Sequence, residues 1–212
     1  MDPDRRLLLG GGVLVAIAAV VSVLAHPEMP AEMATHWNAS GDVDGTMSRE
    51  LGLALLPVLA LGTLGLFYAI PRIDPREDFE SFRFAYDALA LATVALVVWV
   101  HGLVVLVNLG YEFGILQGLA PAVGAIYVLA GYVTERAEQN WFVGVRTPWT
   151  LEDEQVWTET NQLVAQLFKV GGVVAAAGAL VPQYAVALIV GPPVVAVVVS
   201  AGYSYYRYQG TA

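Results

Sequence analysis

Apolar residues run through this chain in long unbroken stretches, and polar residues gather in two short inserts between them. Residues 13–25, 51–70, 88–110 and 170–206 contain no Asp, Glu, Lys or Arg. A run of about 20 apolar residues matches the hydrocarbon thickness of a bilayer when it is wound as a helix. The pattern predicts six spans, at about 7–25, 51–70, 87–108, 113–133, 164–181 and 184–204. The fold class expected is an all-α membrane protein, a bundle of six transmembrane helices. The fifth span carries the weakest signal, because Lys169 lies near its start and Gly and Ala dominate it. A lysine close to a helix end can snorkel to the interface, so the span is kept.

Composition agrees with this pattern. Of the 212 residues 57% are hydrophobic and only 14% charged, and the mean hydropathy is +0.62. A soluble domain carries about 25% charged residues. The net charge is −9, with the single lysine Lys169 against nine arginines. Such acidity argues against nucleic acid as a direct ligand and is expected of a halophile-like composition. The absence of cysteine removes disulfides, thiolate metal sites and cysteine nucleophiles.

Loop charge sets the orientation, because cytoplasmic loops carry the excess of Lys and Arg. With the amino end inside, the inner segments hold Arg5, Arg6, Arg72, Arg76, Arg83, Arg136, Arg146 and Arg207, and the outer segments only Arg49. Both termini are therefore expected in the cytoplasm. Residues 1–70 read as a two-helix membrane domain with an extracellular loop at 26–50. Residues 71–212 read as a four-helix membrane domain with a cytoplasmic insert at 134–163. Arg5 and Arg6 ahead of Val23-Leu24-Ala25 also fit a signal peptide, but residues 7–25 are longer than a usual signal core, which favours an uncleaved span.

Small residues offer close helix contacts at Gly114 and Gly118, and along Gly171, Ala175 and Ala179 with Gly172 and Ala176. Gly191-Pro192-Pro193 is expected to kink or break the last span. No repeat relates the two halves, so an inverted-repeat transporter gains no support.

In the outer loop, Pro27 and Pro30 keep the start extended. The segments 38–42 and Asp44-Gly45 are turn chemistry, and Ser48 with Glu50 can start the second helix. Asp42-Val43-Asp44-Gly45 has the wrong spacing for a calcium loop, and Asn38-Ala39-Ser40 is a glycosylation acceptor. His26, His36 and His101 all fall in the outer half. A metal site from these three is conceivable, but the simpler reading is two loop histidines and one helix–helix hydrogen bond from His101. Asn108, at an outer helix end, needs no special role.

The inner insert holds Trp141, Trp149 and Trp157, spaced by eight, and indoles favour the membrane–water boundary. Thr150 with Asp153 reads as a helix cap, and Glu152, Asp153 and Glu154 oppose the helix dipole. From Leu151 an amphipathic helix is expected along the surface, with Val156, Trp157, Leu163 and Leu167 in apolar contact, before it feeds the fifth span. Gly144 allows a tight turn and Arg146 can hold several oxygens at once.

At this point the chain resembles a known family. Asn140-x3-Gly144-x-Arg146-Thr147-Pro148-Trp149-Thr150-Leu151, then Val156-Trp157-x2-Thr160, is similar to the signature of the SdpI-type immunity proteins. His36-Trp37-Asn38-x2-Gly41-x2-Asp44-Gly45, with Pro57 in the next span, resembles the small membrane domain of unknown function that often precedes it. The resemblance implies a six-span membrane protein of the kind that protects a cell from its own secreted toxin peptide and holds a cytoplasmic repressor at the membrane. It makes His36, Trp37, Asn38, Gly41 and Asp44 candidates for an outward-facing role. It makes Asn140, Gly144, Arg146, Thr147, Pro148, Trp149 and Trp157 candidates for an inward-facing one. The chain departs at Asn161, where the family pattern has histidine, and at Arg49, where lysine is common.

Three functions follow as expectations. The first is a non-catalytic immunity or signal-transduction protein, without cofactor, that meets an extracellular toxin peptide and docks a cytoplasmic repressor. The second is a transporter or channel, for which the interior offers only Thr63, Thr93, His101 and the glycine-rich fifth span. The third is a metal-dependent membrane enzyme using His26, His36 and His101; no serine–histidine pairing, paired intramembrane carboxylates or HExxH motif is visible in the sequence.

Overall fold

A computed structural model describes residues 2–74 and 80–211. In chain order the elements are α1 (Pro3–Ala25), β1 (Glu32–Trp37), β2 (Val43–Ser48), α2 (Arg49–Ile73), α3 (Arg83–Asn108), α4 (Ile115–Arg136), α5 (Pro148–Glu152), α6 (Glu154–Ala177) and α7 (Ala185–Thr211). Single 3-10 turns occupy His26–Glu28 and Pro182–Tyr184. Arg76, one of the orientation-setting arginines, lies outside the described residues.

Local chemistry explains where the helices start. The Asp2 side chain accepts from the Asp4 N–H ahead of Pro3 at the first turn of α1. Ser48 Oγ accepts from the Leu51 N–H at the start of α2, as the sequence predicts. Five of the described helices, α1 to α4 and α7, are long and apolar enough to cross a membrane. They present large apolar side chains outward, Val23 at 73% and Val197 at 67% exposure among them. Water would penalise such a surface and lipid does not. The chain is a multi-pass membrane protein.

The expected fifth span at 164–181 needs correction. Its helix, α6, starts ten residues earlier and ends at Ala177. It falls outside the five because Asn161, Gln162, Gln166 and Lys169 interrupt its apolar residues. Nor does it lie along a surface before turning in. Val156, Trp157, Thr160, Asn161, Val164 and Ala165 are all buried, and α6 runs antiparallel against α4 for its whole length. Contacts track this path from Trp157 with Ala137, through Gly131 with Ala165 and Gly124 with Gly172, to Gln117 with Ala179. A Cβ built on Gly124 would meet the Gly172 carbonyl at 2.4 Å, and one on Gly131 the Ala165 carbonyl at 2.7 Å. The closest helix packing therefore rests on Gly124 and Gly131 of α4, while Gly118 faces Leu103 of α3.

Three of the five prolines inside the described helices share one arrangement. A proline has no N–H, so the carbonyl four residues before it loses its helical partner, and in lipid that loss must be made good locally. Pro57 frees the Leu53 carbonyl, and Ser22 Oγ of α1 donates to it at 2.8 Å. Pro71 frees the Phe67 carbonyl, and the Tyr86 hydroxyl of α3 donates to it at 2.7 Å. Pro193 frees the Ile189 carbonyl, and the Tyr127 hydroxyl of α4 donates to it at 3.0 Å. Gly191-Pro192-Pro193 thus does not break the last helix, which is continuous over Ala185–Thr211. Pro192 also packs on Gly171 of α6, where any Cβ would meet it at 2.6 Å.

The bundle has two unlike ends. At one, the starts of α1 and α3 and the end of α2 are tied by Asp4 to Arg72, Asp4 to Arg83 at 2.6 Å and Arg83 to Asp87 at 2.8 Å. The segment between α4 and α6 lies at this same end, where the Trp141 N–H donates to Asp74 Oδ2 at 3.0 Å. At the other end the β1–β2 hairpin covers α1, α2 and the last turns of α3.

Candidate functional site: an outer hairpin and an inner turn

The segment 26–50 is a β-hairpin rather than the loop of turns read from the sequence. Its antiparallel register pairs Glu32 with Ser48, Met33 with Met47, Ala34 with Thr46, His36 with Gly45 and Trp37 with Val43. Register shifts on both sides of His36 leave Thr35 and Asp44 outside the pairing. Asp44 thereby reaches His36, and Nδ1 lies 2.5 Å from Oδ1. Gly45 is needed opposite, since a Cβ there would sit 2.9 Å from His36 Cβ. Asn38 organises the connection, its Oδ1 accepting from the Ser40 and Asp42 N–H groups, and Gly41 turns with φ +87°. Met29 and Met33 are buried beneath the hairpin with Leu53, Val104 and Val105, and Trp37 packs against them. All five outward candidates, His36, Trp37, Asn38, Gly41 and Asp44, thus belong to one small rigid unit.

Asn108 has a role the sequence did not reveal. Its side chain accepts from the Ala34 N–H at 2.8 Å and donates to the Ala34 carbonyl at 2.9 Å, the two hydrogen bonds a third strand would give. A carboxamide carries both a donor and an acceptor, so one residue can clamp the hairpin edge to α3.

The inner turn, residues 137–150, is built around two asparagines. Asn140 is fully buried; its Oδ1 accepts from the Phe142 and Val143 N–H groups and its Nδ2 donates to the Glu138 and Val143 carbonyls. Asn161 of α6, also buried, accepts the Val145 N–H at 2.7 Å and donates to the Trp157 carbonyl. Between them Gly144 takes φ +101°, and a Cβ there would meet Asn161 Oδ1 at 2.6 Å. Four hydrogen bonds to one buried carboxamide replace a missing stretch of secondary structure. The Asn161 carboxamide thus serves the turn backbone.

The helix cap differs from its prediction by three residues. Thr147 is the cap of α5 and Thr150 its third residue, each side chain bonding the other's N–H. Pro148 occupies the first helical position. Asp153 closes α5 and caps α6, accepting from the Val156 N–H at 2.9 Å. The Thr150 hydroxyl also donates back to the Val145 carbonyl at 2.7 Å, so cap and turn are one network. Trp157 is not a boundary indole. It is 2% exposed, and its Nε1–H donates to the Ala137 carbonyl at 2.9 Å. Trp149 is half-buried and stacks against Tyr205 of α7 with ring centroids 5.0 Å apart, while Trp141 is exposed. Arg146 is exposed and donates to the Trp141 carbonyl at 2.7 Å.

All seven inward candidates meet here, joined by Asp74, Thr150 and Asn161. Asp74, the cap at the end of α2, carried no local signal, because its partner Trp141 lies 67 residues away.

The three histidines do not gather. His36 pairs with Asp44, and His101 is buried against Ser22, Nε2 to Oγ at 2.9 Å. Among the described residues no group of three or more His, Asp or Glu is placed to hold a metal ion. The Ser22–His101 contact is a serine–histidine pair that the sequence, with 79 residues between them, did not disclose. The Ser22 hydroxyl lies within hydrogen-bonding distance of the Ala18 and Leu53 carbonyls, at 3.1 and 2.8 Å, as well as of His101 Nε2. Among the described residues His101 Nδ1 has no hydrogen-bond partner, the position that a carboxylate takes in a Ser-His-Asp triad.

Comparison with known proteins matches these two units. Residues 136–204 match the SdpI/YfhL protein family, and residues 13–61 match a domain of unknown function, DUF1648. The chain is 26% identical over 199 residues to "Immunity protein SdpI" of Bacillus subtilis (strain 168), covering 93% of each protein. No solved structure matches the chain. The outer hairpin and the inner turn thus each lie within a matched segment, and this multi-pass membrane protein resembles the SdpI-type immunity proteins, with the small DUF1648 domain ahead of the SdpI segment.

Proposed function

We propose that the chain is a non-catalytic membrane immunity protein that crosses the bilayer six times with both termini in the cytoplasm. It meets a secreted peptide or membrane-active agent at the outer hairpin and presents the inner turn to a cytoplasmic regulator. One observation carries this reading: two hydrogen-bonded polar units stand at opposite ends of a lipid-facing bundle, one on His36 and Asp44 and the other on Asn140 and Asn161. Support for the sixth crossing comes from α6. Its 24 residues extend about 36 Å at 1.5 Å per residue, enough for the hydrocarbon core, and it follows α4 from end to end. Of its polar residues Asn161 is buried in that packing, Lys169 is held by Glu135 at 2.7 Å, and Gln166 donates to the same carboxylate at 3.3 Å. The excess of arginine at the end that holds the inner turn favours a cytoplasmic position for that end.

Survival of cells lacking the gene, exposed to their own secreted peptides, tests the reading. Loss of survival, restored by the intact gene but not by a form with His36→Ala and Asp44→Ala, is the expected result. Unchanged survival and unchanged gene regulation in the deletion strain would refute it.

A further inference from the structure

Beneath the inner turn lies a cavity of about 610 Å³, within the range of about 300–1,000 Å³ common for small-ligand sites. Its walls come from five helices and the turn, and they are mainly apolar: Phe67, Leu89, Val133, Val164, Phe168 and Val197 are representative. Water fills such a space poorly, because an internal water needs two or more polar partners. The polar groups on the lining are few, chiefly Arg146 and the hydroxyls of Thr134, Thr147 and Ser200.

Among the described arginines at this end only Arg5 and Arg146 have no carboxylate within ion-pair distance, and of the two only Arg146 lines the cavity. Arg6, Arg72, Arg83, Arg136 and Arg207 at the same end each lie within ion-pair distance of a carboxylate. Among the described residues Arg146 meets no carboxylate, and its only hydrogen bond goes from one nitrogen to the Trp141 carbonyl. That bond orients the guanidinium while leaving most of its five N–H donors for an anion. An apolar chamber with an unneutralised arginine beside it, walled by membrane helices, matches a molecule with a hydrocarbon tail and an acidic head. Basic pockets between membrane helices take anionic lipid headgroups in this way.

We propose that this cavity binds one acyl chain of an anionic phospholipid, with the headgroup phosphate on Arg146. The site is independent of the immunity reading, since it requires no toxin and no regulator. The full-length protein, stripped of lipid in neutral detergent, is incubated with phosphatidylglycerol, phosphatidylcholine or glycerol phosphate, and retained ligand is measured by native mass spectrometry. One phosphatidylglycerol per chain is expected, with phosphatidylcholine held about tenfold more weakly, because its choline cation offsets the phosphate charge that Arg146 meets. Glycerol phosphate neither stays bound nor displaces the lipid. Arg146→Gln lowers phosphatidylglycerol retention by about tenfold, Arg146→Lys keeps most of it, and Arg5→Gln leaves it unchanged. Ala130→Leu, which narrows the cavity, lowers retention with the charge intact, and thermal melting shows each variant folded. Equal retention of the two phospholipids, retention unaffected by Arg146→Gln, or displacement by glycerol phosphate would each overturn the proposal.

Discussion

At Gly144 one methyl group separates an intact inner turn from a strained one. Its φ of +101° is costly for any L side chain, and the added Cβ would stand 2.6 Å from Asn161 Oδ1. Gly144→Ala is expected to destabilise the protein by about 2 kcal/mol or more, read as a lower thermal midpoint in detergent. Gly41→Ala supplies the comparison. It shares the positive φ, +87°, but nothing lies within 4 Å of its Cβ. Only the backbone cost remains, about 1 kcal/mol. The sequence marked both glycines through their place in a motif, yet it could not rank them, because Asn161 reaches Gly144 only through the fold. Asn161 itself read as a departure from a family pattern, and its two buried hydrogen bonds make it part of the turn's frame.

At the scale of helices, the interior prolines mark where neighbours must dock. Ser22→Ala should cost about 1 kcal/mol beside Pro57, because the Leu53 carbonyl then loses its donor inside the membrane. In a Pro57→Ala background the helix closes that carbonyl itself, so the same change should cost less and retain only the loss of the Ser22 contact to His101; thermal unfolding of the four variants yields the coupling. Additive costs would show that the hydroxyl does not serve the proline. Asp153→Ala should cost about 1 kcal/mol by uncapping α6, and Thr150, mistaken for that cap, should instead loosen the turn through Val145. The hairpin was the element least legible in the sequence. Its strands have six residues each, β2 is exposed over nearly all its length, and turn residues interrupt the alternation that announces a half-buried strand. Asn108→Ala should release its edge, seen as faster hydrogen exchange of the Ala34 amide with the helices unaffected.

At the scale of the molecule, the chain's lack of cysteine makes every introduced thiol a unique probe. Cysteine at position 36 is expected to react with a membrane-impermeant reagent on intact cells, and cysteine at position 146 only after the membrane is opened. Reaction of both from one side would exclude the proposed six crossings. The apolar character of α1 to α4 and α7, the bunching of arginines and the location of the two polar inserts were readable from residue order, because burial in lipid acts on each segment nearly independently and local hydropathy reports it. Pairwise geometry was not readable. Which hydroxyl answers which proline, why α6 sets its small residues against α4, how Asn108 clamps a strand and why Trp157 is buried all depend on contacts between residues from about 20 to 79 positions apart. Hydrogen bonds in a lipid interior must close wherever a partner is in reach, and reach is a property of the packed helices rather than of their order along the chain.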